Sequence, residues 1–285
     1  MVNIDLQGHR GARGLLPENT IPAFLKAMEF EVQTLELDLA IDVEGNVIVS
    51  HEPWMSAVIC SHPDGSPVSE DEQKDLKIWE MTFEQIQSYD CGMRGHSEFP
   101  KQTPIAATKP KLTDVFTAVK QVATEASSEL PAFNIEIKSS AAGDGVLHPP
   151  VNEFVSRALE TIKSNYPLHL ITIQAFDARA LERVHDLEPD IAISWLVGNE
   201  DGWKANMDQL TFIPDVYSPA FRLIDSSLVS SVHEAGMLLI PWTVNEVQDM
   251  RDVINLGVDG FITDYPDRGR ALLDELVQED QGSKL

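Results

Sequence analysis

Apolar residues recur along this chain with two alternating periods. Short runs, several of them switching between apolar and polar at every step, predict strands at 5–8, 34–41, 46–51, 132–138, 170–176, 191–197, 216–219, 238–244 and 260–264. Between them apolar residues return every three or four positions, which predicts helices at 20–31, 113–129, 151–166, 178–186, 202–210, 226–235, 246–256 and 267–278. Pro17 with Asn19 or Thr20 marks the start of the first helix, Thr20 being the expected N-cap. Strand and helix alternate from end to end, so the chain reads as βα units around a parallel sheet.

One strand-like run is surplus to a closed barrel. Runs 34–41 and 46–51 are joined only by Asp42-Val43-Glu44-Gly45, too short to return the chain to a parallel strand but sufficient for an antiparallel hairpin. With 46–51 read as a hairpin arm of strand 2, eight parallel strands remain. The expectation is an α/β fold, a (β/α)8 TIM barrel formed by residues 1–285 as one domain. Segment 53–110 breaks the alternation. It is rich in Pro, Ser, Asp, Glu and Lys, carries one short helical pattern at 82–89, and far exceeds an ordinary connection. It reads as a small inserted subdomain folded over the C-terminal mouth, with Trp54, Trp79, Phe83, Tyr89 and Phe99 as apolar material.

The formal net charge of −25 opposes binding to nucleic acid and to anionic membrane surfaces. It also repels an anionic substrate, so a phosphate site here needs a local positive centre. No run approaches the ~18–20 apolar residues that span a bilayer, and no basic-then-apolar leader opens the chain. Compartment and oligomeric state stay open. Cys60 and Cys91 form no metal-spaced pair and no disulfide framework; they are two free thiols or one bridge.

Candidate chemistry gathers at strand ends. In Leu35-Glu36-Leu37-Asp38-Leu39 the strand period turns both carboxylates into the barrel and the leucines toward the helices. Two such carboxylates need a counter-charge, either a cation or Lys and Arg partners. In Asn134-Ile135-Glu136-Ile137-Lys138 the inward face carries a third carboxylate, Glu136. Three carboxylates at one mouth suit a hard cation, Mg2+ or Ca2+, while Lys138 could pair structurally with Glu136. His9 and Arg10 end strand 1 and His51 ends the hairpin arm. Two histidines beside three carboxylates suit a general acid and base around a metal, or two further metal ligands. Gln174, Phe176, Trp242, Thr243, Asn245 and Asp264 lie at later strand ends, where an aromatic is as readily rim packing as a substrate contact.

The ordered pieces His9-Arg10-Gly11, Pro17-Glu18-Asn19-Thr20, Glu36-Leu37-Asp38, 45–51, Glu136-Ile137-Lys138, Trp242-Thr243-Val244-Asn245 and Asp259-Gly260-Phe261-Ile262-Thr263-Asp264-Tyr265-Pro266 closely resemble the glycerophosphodiester phosphodiesterase family nearly end to end. The resemblance implies a (β/α)8 enzyme that hydrolyses small glycerophosphodiesters to glycerol phosphate and an alcohol. It implies one divalent metal ion, Ca2+ or Mg2+, on Glu36, Asp38 and Glu136, and catalytic His9 and His51. Arg10 matches a phosphate-contacting arginine, Lys138 a lysine near the phosphate, and Glu18 a site member; Phe176 and Trp242 join them as expected substrate contacts. The family usually has Asp after the second histidine, where this chain has Glu52, and Ser before the strand 4 phenylalanine, where it has Ala175. Other readings are a phospholipase D-like relative acting on a lysolipid, which needs an apolar groove; a catalytically silent binding barrel, which loss of a histidine or a metal carboxylate would signal; and a metal-free sugar-binding barrel, which has no need of the acidic triad.

Overall fold

The computed structural model describes residues 4–282. In chain order the elements are β1 (Asp5–Gly8), α1 (Ile21–Met28), β2 (Thr34–Ile41), β3 (Val47–Val49), α2 (Phe83–Gln87), α3 (Leu112–Ala126), β4 (Ala132–Ile137), α4 (Val151–Asn165), β5 (Ile171–Ala175), α5 (Ala178–Leu187), β6 (Ala192–Val197), α6 (Trp203–Met207), β7 (Val216–Pro219), α7 (Ser226–Glu234), β8 (Leu238–Leu239), α8 (Val247–Leu256), β9 (Gly260–Thr263) and α9 (Pro266–Gly282). Eight of the strands run parallel in the order β8-β7-β6-β5-β4-β2-β1-β9. Backbone hydrogen bonds join the two ends of that path: Asp259 N donates to the Leu239 carbonyl at 3.0 Å, Ile262 N to the Pro241 carbonyl at 2.9 Å, and Val244 N to the Ile262 carbonyl at 2.9 Å. The result is the expected (β/α)8 TIM barrel. Strand β8 is shorter than the predicted 238–244 because Pro241 has no N–H to give a ladder.

Outward residues of the strands make the main core. Leu35, Leu37 and Leu39 of β2 are fully buried in one cluster with Phe24 of α1 and Val115 and Phe116 of α3. Trimming one such leucine to alanine costs about 2–5 kcal/mol. Thr20 caps α1, its side chain accepting from Ala23 N. Inside the barrel the two halves differ. The β1–β5 side is polar: Asn134 Nδ2 donates to Gln7 and to Gln174, and Gln174 Nε2 donates to Glu36. The opposite side is an apolar cluster of Val216, Ile240 and Ile262 beside Trp242.

The hairpin arm has a structural reason. Strand β1 pairs with β2 only at Thr34 and Leu35, so the far end of β2 is free to take β3 antiparallel, Leu39 opposite Val49. Asp42 accepts from the backbone N–H of Glu44 and Asn46 to make the turn, with Gly45 at φ +83°. Segment 53–110 then leaves beside His51 and returns next to the arm, where Val49 N donates to the Pro110 carbonyl. It has a small core of its own, Met55, Ile59, Val68, Ile78 and Ile86 packed on Ala40 and Ile48 of the hairpin. Cys60 and Cys91 are bonded to each other across 31 residues of this segment, so of the two states open in the sequence the chain takes the bridge. No helix among the described residues is long and apolar enough to cross a membrane.

Candidate active site

The floor of the site follows from strand register. Strands β2 and β4 pair so that Glu36 lies opposite Asn134 and Asp38 opposite Glu136. The period of two then puts Glu36, Asp38 and Glu136 on one interior surface, all buried, with one carboxylate oxygen from each within 4.8 Å of the others. Their counter-charges are unequal. Asp38 has Arg10 Nε at 3.2 Å and Lys138 Nζ at 3.7 Å; Glu136 has Lys138 Nζ at 2.9 Å. Glu36 has no Lys or Arg in ion-pair range among the described residues; it accepts from Arg10 N and Gln174 Nε2, with His9 Nε2 at 3.9 Å. Burial therefore pushes the Glu36 carboxyl well above its ordinary range, reinforced by the neighbouring Asp38 charge. Glu136 is raised by the same burial against the pull of Lys138. Asp38 moves down, because Arg10, His51 and Lys138 together outweigh its burial. The pairing of Lys138 with Glu136, one of the two readings open in the sequence, is present. It leaves the trio short of positive charge.

Each histidine has a carboxylate at Nδ1. His9 Nδ1 lies 2.6 Å from Asp264 Oδ1, and His51 Nδ1 lies 2.8 Å from Glu52 Oε1. An ionised carboxylate can only accept, so Nδ1 carries the proton and Nε2 is left to exchange one. Asn245 holds Asp264 from the other side, donating through Nδ2 at 2.7 Å and accepting the Asp264 N–H at 2.9 Å. Burial lowers the His9 pKa, against the opposing charge of Asp264.

The loop from β1 to α1 supplies the arginines. Gly11 has φ +86°, and a Cβ there would stand 2.5 Å from the Ala23 carbonyl carbon, so only glycine fits. Arg10 and Asn19 are also left-handed, at φ +49° and +55°. Such strain is held by surrounding bonds: Arg10 N to Glu36 at 2.9 Å, Asn19 N to the Arg10 carbonyl at 3.0 Å, and Asn19 Nδ2 to Asp38 at 2.8 Å. Glu18 is shared by two guanidinium groups, Arg10 Nη1 at 2.8 Å on one oxygen and Arg13 Nε at 2.7 Å on the other. Burial would raise the Glu18 carboxyl, but Arg10 and then Arg13 hold it far below its ordinary range.

These groups meet in a cavity of about 230 Å3 whose lining includes His9, Arg10, Arg13, Glu36, His51, Glu136, Lys138, Phe176 and Trp242. Asp38 lies in the floor beneath it and Glu18 behind the two arginines. Phe176 meets Trp242 edge to face at 5.4 Å, and the indole N–H donates to the Ser218 carbonyl at 2.9 Å. Three residues in or next to the site were not assigned to it in the sequence, Phe99 being read only as apolar material of its segment. Arg13 lies within the loop between two matched motifs, where a position after strand 1 was signal enough. Phe99 and Lys109 come from segment 53–110, and only tertiary contacts bring them in. Lys109 is buried with Nζ 2.8 Å from Ser50 Oγ, beside His51; burial lowers its pKa against the pull of Glu18 and Glu52.

Residues 9–268 match the model of the Glycerophosphoryl diester phosphodiesterase family. The chain belongs to that family. It is a phosphodiesterase, an enzyme that hydrolyses glycerophosphodiesters. The enzyme is 30% identical over 263 residues to a glycerophosphodiester phosphodiesterase from Caldanaerobacter subterraneus subsp. tengcongensis, covering 91% of this chain and 93% of the relative. Its barrel superposes on a solved structure from Silicibacter pomeroyi DSS-3 with TM-score 0.83, 26% identity and coverage of 96% and 94%. A second structure of the same fold is an Oleispira antarctica phosphodiesterase in complex with the product sn-glycerol-3-phosphate, at TM-score 0.74, 20% identity and coverage of 94% and 96%. Against the family pattern, the phosphodiesterase places the longer Glu52 where its carboxylate reaches His51 Nδ1.

Proposed function

We propose that this phosphodiesterase cleaves its substrates to glycerol phosphate and an alcohol with one divalent cation, Ca2+ or Mg2+, held by Glu36, Asp38 and Glu136, and with His9 and His51 exchanging the protons. The observation that carries the reading is the charge imbalance of the buried trio. Three carboxylates within 4.8 Å share, among the described residues, only the Arg10 and Lys138 side chains, and Glu36 has neither within ion-pair range. An all-oxygen donor set of that kind suits a hard cation. When bound, the cation supplies charge to the phosphate oxygens as negative charge develops on them.

The chain's own groups do the rest. Arg10 and Lys138 add fixed positive charge beside the phosphate, an electrostatic contribution that is usually the largest in catalysis. One histidine Nε2 removes the proton from the attacking hydroxyl, either of water or of the substrate's own glycerol, the latter route giving a cyclic phosphate that water then opens to glycerol phosphate. The other Nε2 delivers a proton to the alkoxide as its bond to phosphorus breaks. Asp264 and Glu52 keep both rings in the tautomer this needs and stabilise each imidazolium as it forms. Phe176 and Trp242 wall the apolar side of the cavity. Segment 53–110 caps the C-terminal mouth and discriminates among alcohols; it leaves the scaffold at His51, and Phe99 and Lys109 reach the site from it.

The test is turnover of a panel of glycerophosphodiesters after chelation and after adding back Mg2+ or Ca2+. Activity should vanish and return, with glycerol phosphate and the free alcohol as products. Full turnover by chelated enzyme would remove the cation from this account.

A further inference from the structure

Arg10 and Arg13 both line the cavity, but Arg10 lies against two close carboxylates and Arg13 against one. Arg10 has Nη1 on Glu18 at 2.8 Å and Nε on Asp38 at 3.2 Å. Arg13 has only Nε so placed, 2.7 Å from the other Glu18 oxygen. Its Nη1 has Asp264 at 3.9 Å and its Nη2 has His96 Nε2 at 3.5 Å, both longer than a good hydrogen bond. The side chain is nonetheless 16% exposed. A largely buried guanidinium that lines a cavity, with neither NH2 group at short hydrogen-bond distance from a carboxylate, has donors to offer an acceptor from outside the chain.

The way Arg13 is held supports the same reading. Its guanidinium lies over the face of Phe99, Cζ 4.5 Å from the ring centroid. An aromatic face fixes the plane of a guanidinium while using none of its in-plane N–H donors; a carboxylate brace would have consumed them. Phe99 is itself buried, and Gln102, three residues on, donates through Nε2 to the Arg13 carbonyl at 2.7 Å.

We propose that Arg13 is a substrate-binding residue, its Nη1 and Nη2 donating to the nonbridging oxygens of the phosphodiester, with Phe99 of segment 53–110 as its brace. This rests on the reading of the cavity as the phosphodiester site. The planar fork matches two phosphate oxygens, as a lysine ammonium does not. Segment 53–110 thereby gains a part in phosphate binding as well as in enclosing the alcohol.

The experiment measures KM and kcat on one glycerophosphodiester, and binding of sn-glycerol 3-phosphate by calorimetry in Mg2+, for wild type, Arg13→Met, Arg13→Lys, Phe99→Leu and the Arg13→Met/Phe99→Leu pair. Arg13→Met should weaken product binding by about 10–100-fold, with Mg2+ binding unchanged. Arg13→Lys should recover part of that loss, which also covers a poorly folded methionine variant. Phe99→Leu should weaken binding by a smaller factor, and that factor should vanish in the Arg13→Met background, because the brace has nothing left to hold. Product binding and KM unaltered in both Arg13 variants, or a Phe99→Leu effect of full size without Arg13, would overturn the proposal. If wild type turns over no glycerophosphodiester, the reading of the cavity has failed instead.

Discussion

The floor of the site and its arginine flank are built by different means. Glu36, Asp38 and Glu136 project from two adjacent strands whose backbone register fixes their spacing and whose outward leucines on β2 and isoleucines on β4 anchor them from behind. Arg10 and Arg13 project from a loop with left-handed residues and are aimed by a shared carboxylate, an aromatic face and one segment inserted far along the chain. The first arrangement cannot adjust without disturbing the barrel. The second can change by substitution in segment 53–110 and leave the floor untouched. On the proposed function, the cation site lies on the rigid side, and the selectivity of segment 53–110 on the side that can vary.

The sharpest break in that comparison is a substitution in the floor. Glu36→Ala, Asp38→Ala and Glu136→Ala should each lower turnover by at least about 10²–10³-fold and should each lose the rise in melting temperature that Mg2+ or Ca2+ gives wild type. A variant that kept the full thermal shift would not belong to the trio. Next come the proton carriers. His9→Ala and His51→Ala should each cost about 10²–10⁴-fold in kcat with the cation-induced shift intact, and the double variant should lose less than the product of the two. A variant rescued by high cation would make that histidine a ligand.

Replacing 53–110 by a short linker addresses the flank. The barrel and its cation response should survive, while the relative kcat/KM of diesters with different alcohols changes by about 10-fold. Equal ratios in a folded variant would leave the segment without a part in selectivity. The smallest effect concerns pH. The folded Glu18 carboxyl titrates below the ordinary 4.5, so its clamp contributes stability above that pH and loses it as pH falls further. Glu18→Gln should therefore melt lower than wild type at neutral pH, the gap closing on acidification below about 4.5. A gap constant with pH would mean that the clamp acts through packing.

The floor was legible in the sequence because a strand states its own geometry. The alternation in Leu35-Glu36-Leu37-Asp38-Leu39 gives the face, and the same alternation around Glu136 gives the partner. The hairpin arm was legible for a similar reason, since a four-residue link allows only one kind of pairing. The flank was not. Nothing local to Arg13 announces Phe99, or to Ser50 announces Lys109, since each pair meets only after segment 53–110 has folded on its own core. The bridge between Cys60 and Cys91 was hidden in the same way, as cysteine counting offers no distance. Strand β8 was over-extended because the apolar run continues past Pro241, which has no N–H and interrupts the regular ladder to isolated bonds such as Trp242 N to the Pro219 carbonyl at 3.0 Å.

The hydrogen bond from His9 to Asp264 joins residues 255 positions apart. On a ribosome this separation is an interval of time. At about 5–20 residues per second, roughly 13–50 s pass between the making of the histidine and the making of its carboxylate. Throughout that interval the nascent chain carries His9, then Glu36, Asp38 and Glu136, but no acceptor for Nδ1 and no last strand beside β1. On the proposed role of His9, the growing polypeptide lacks a complete site for all of that time. The site is assembled when the first strand and the last come together.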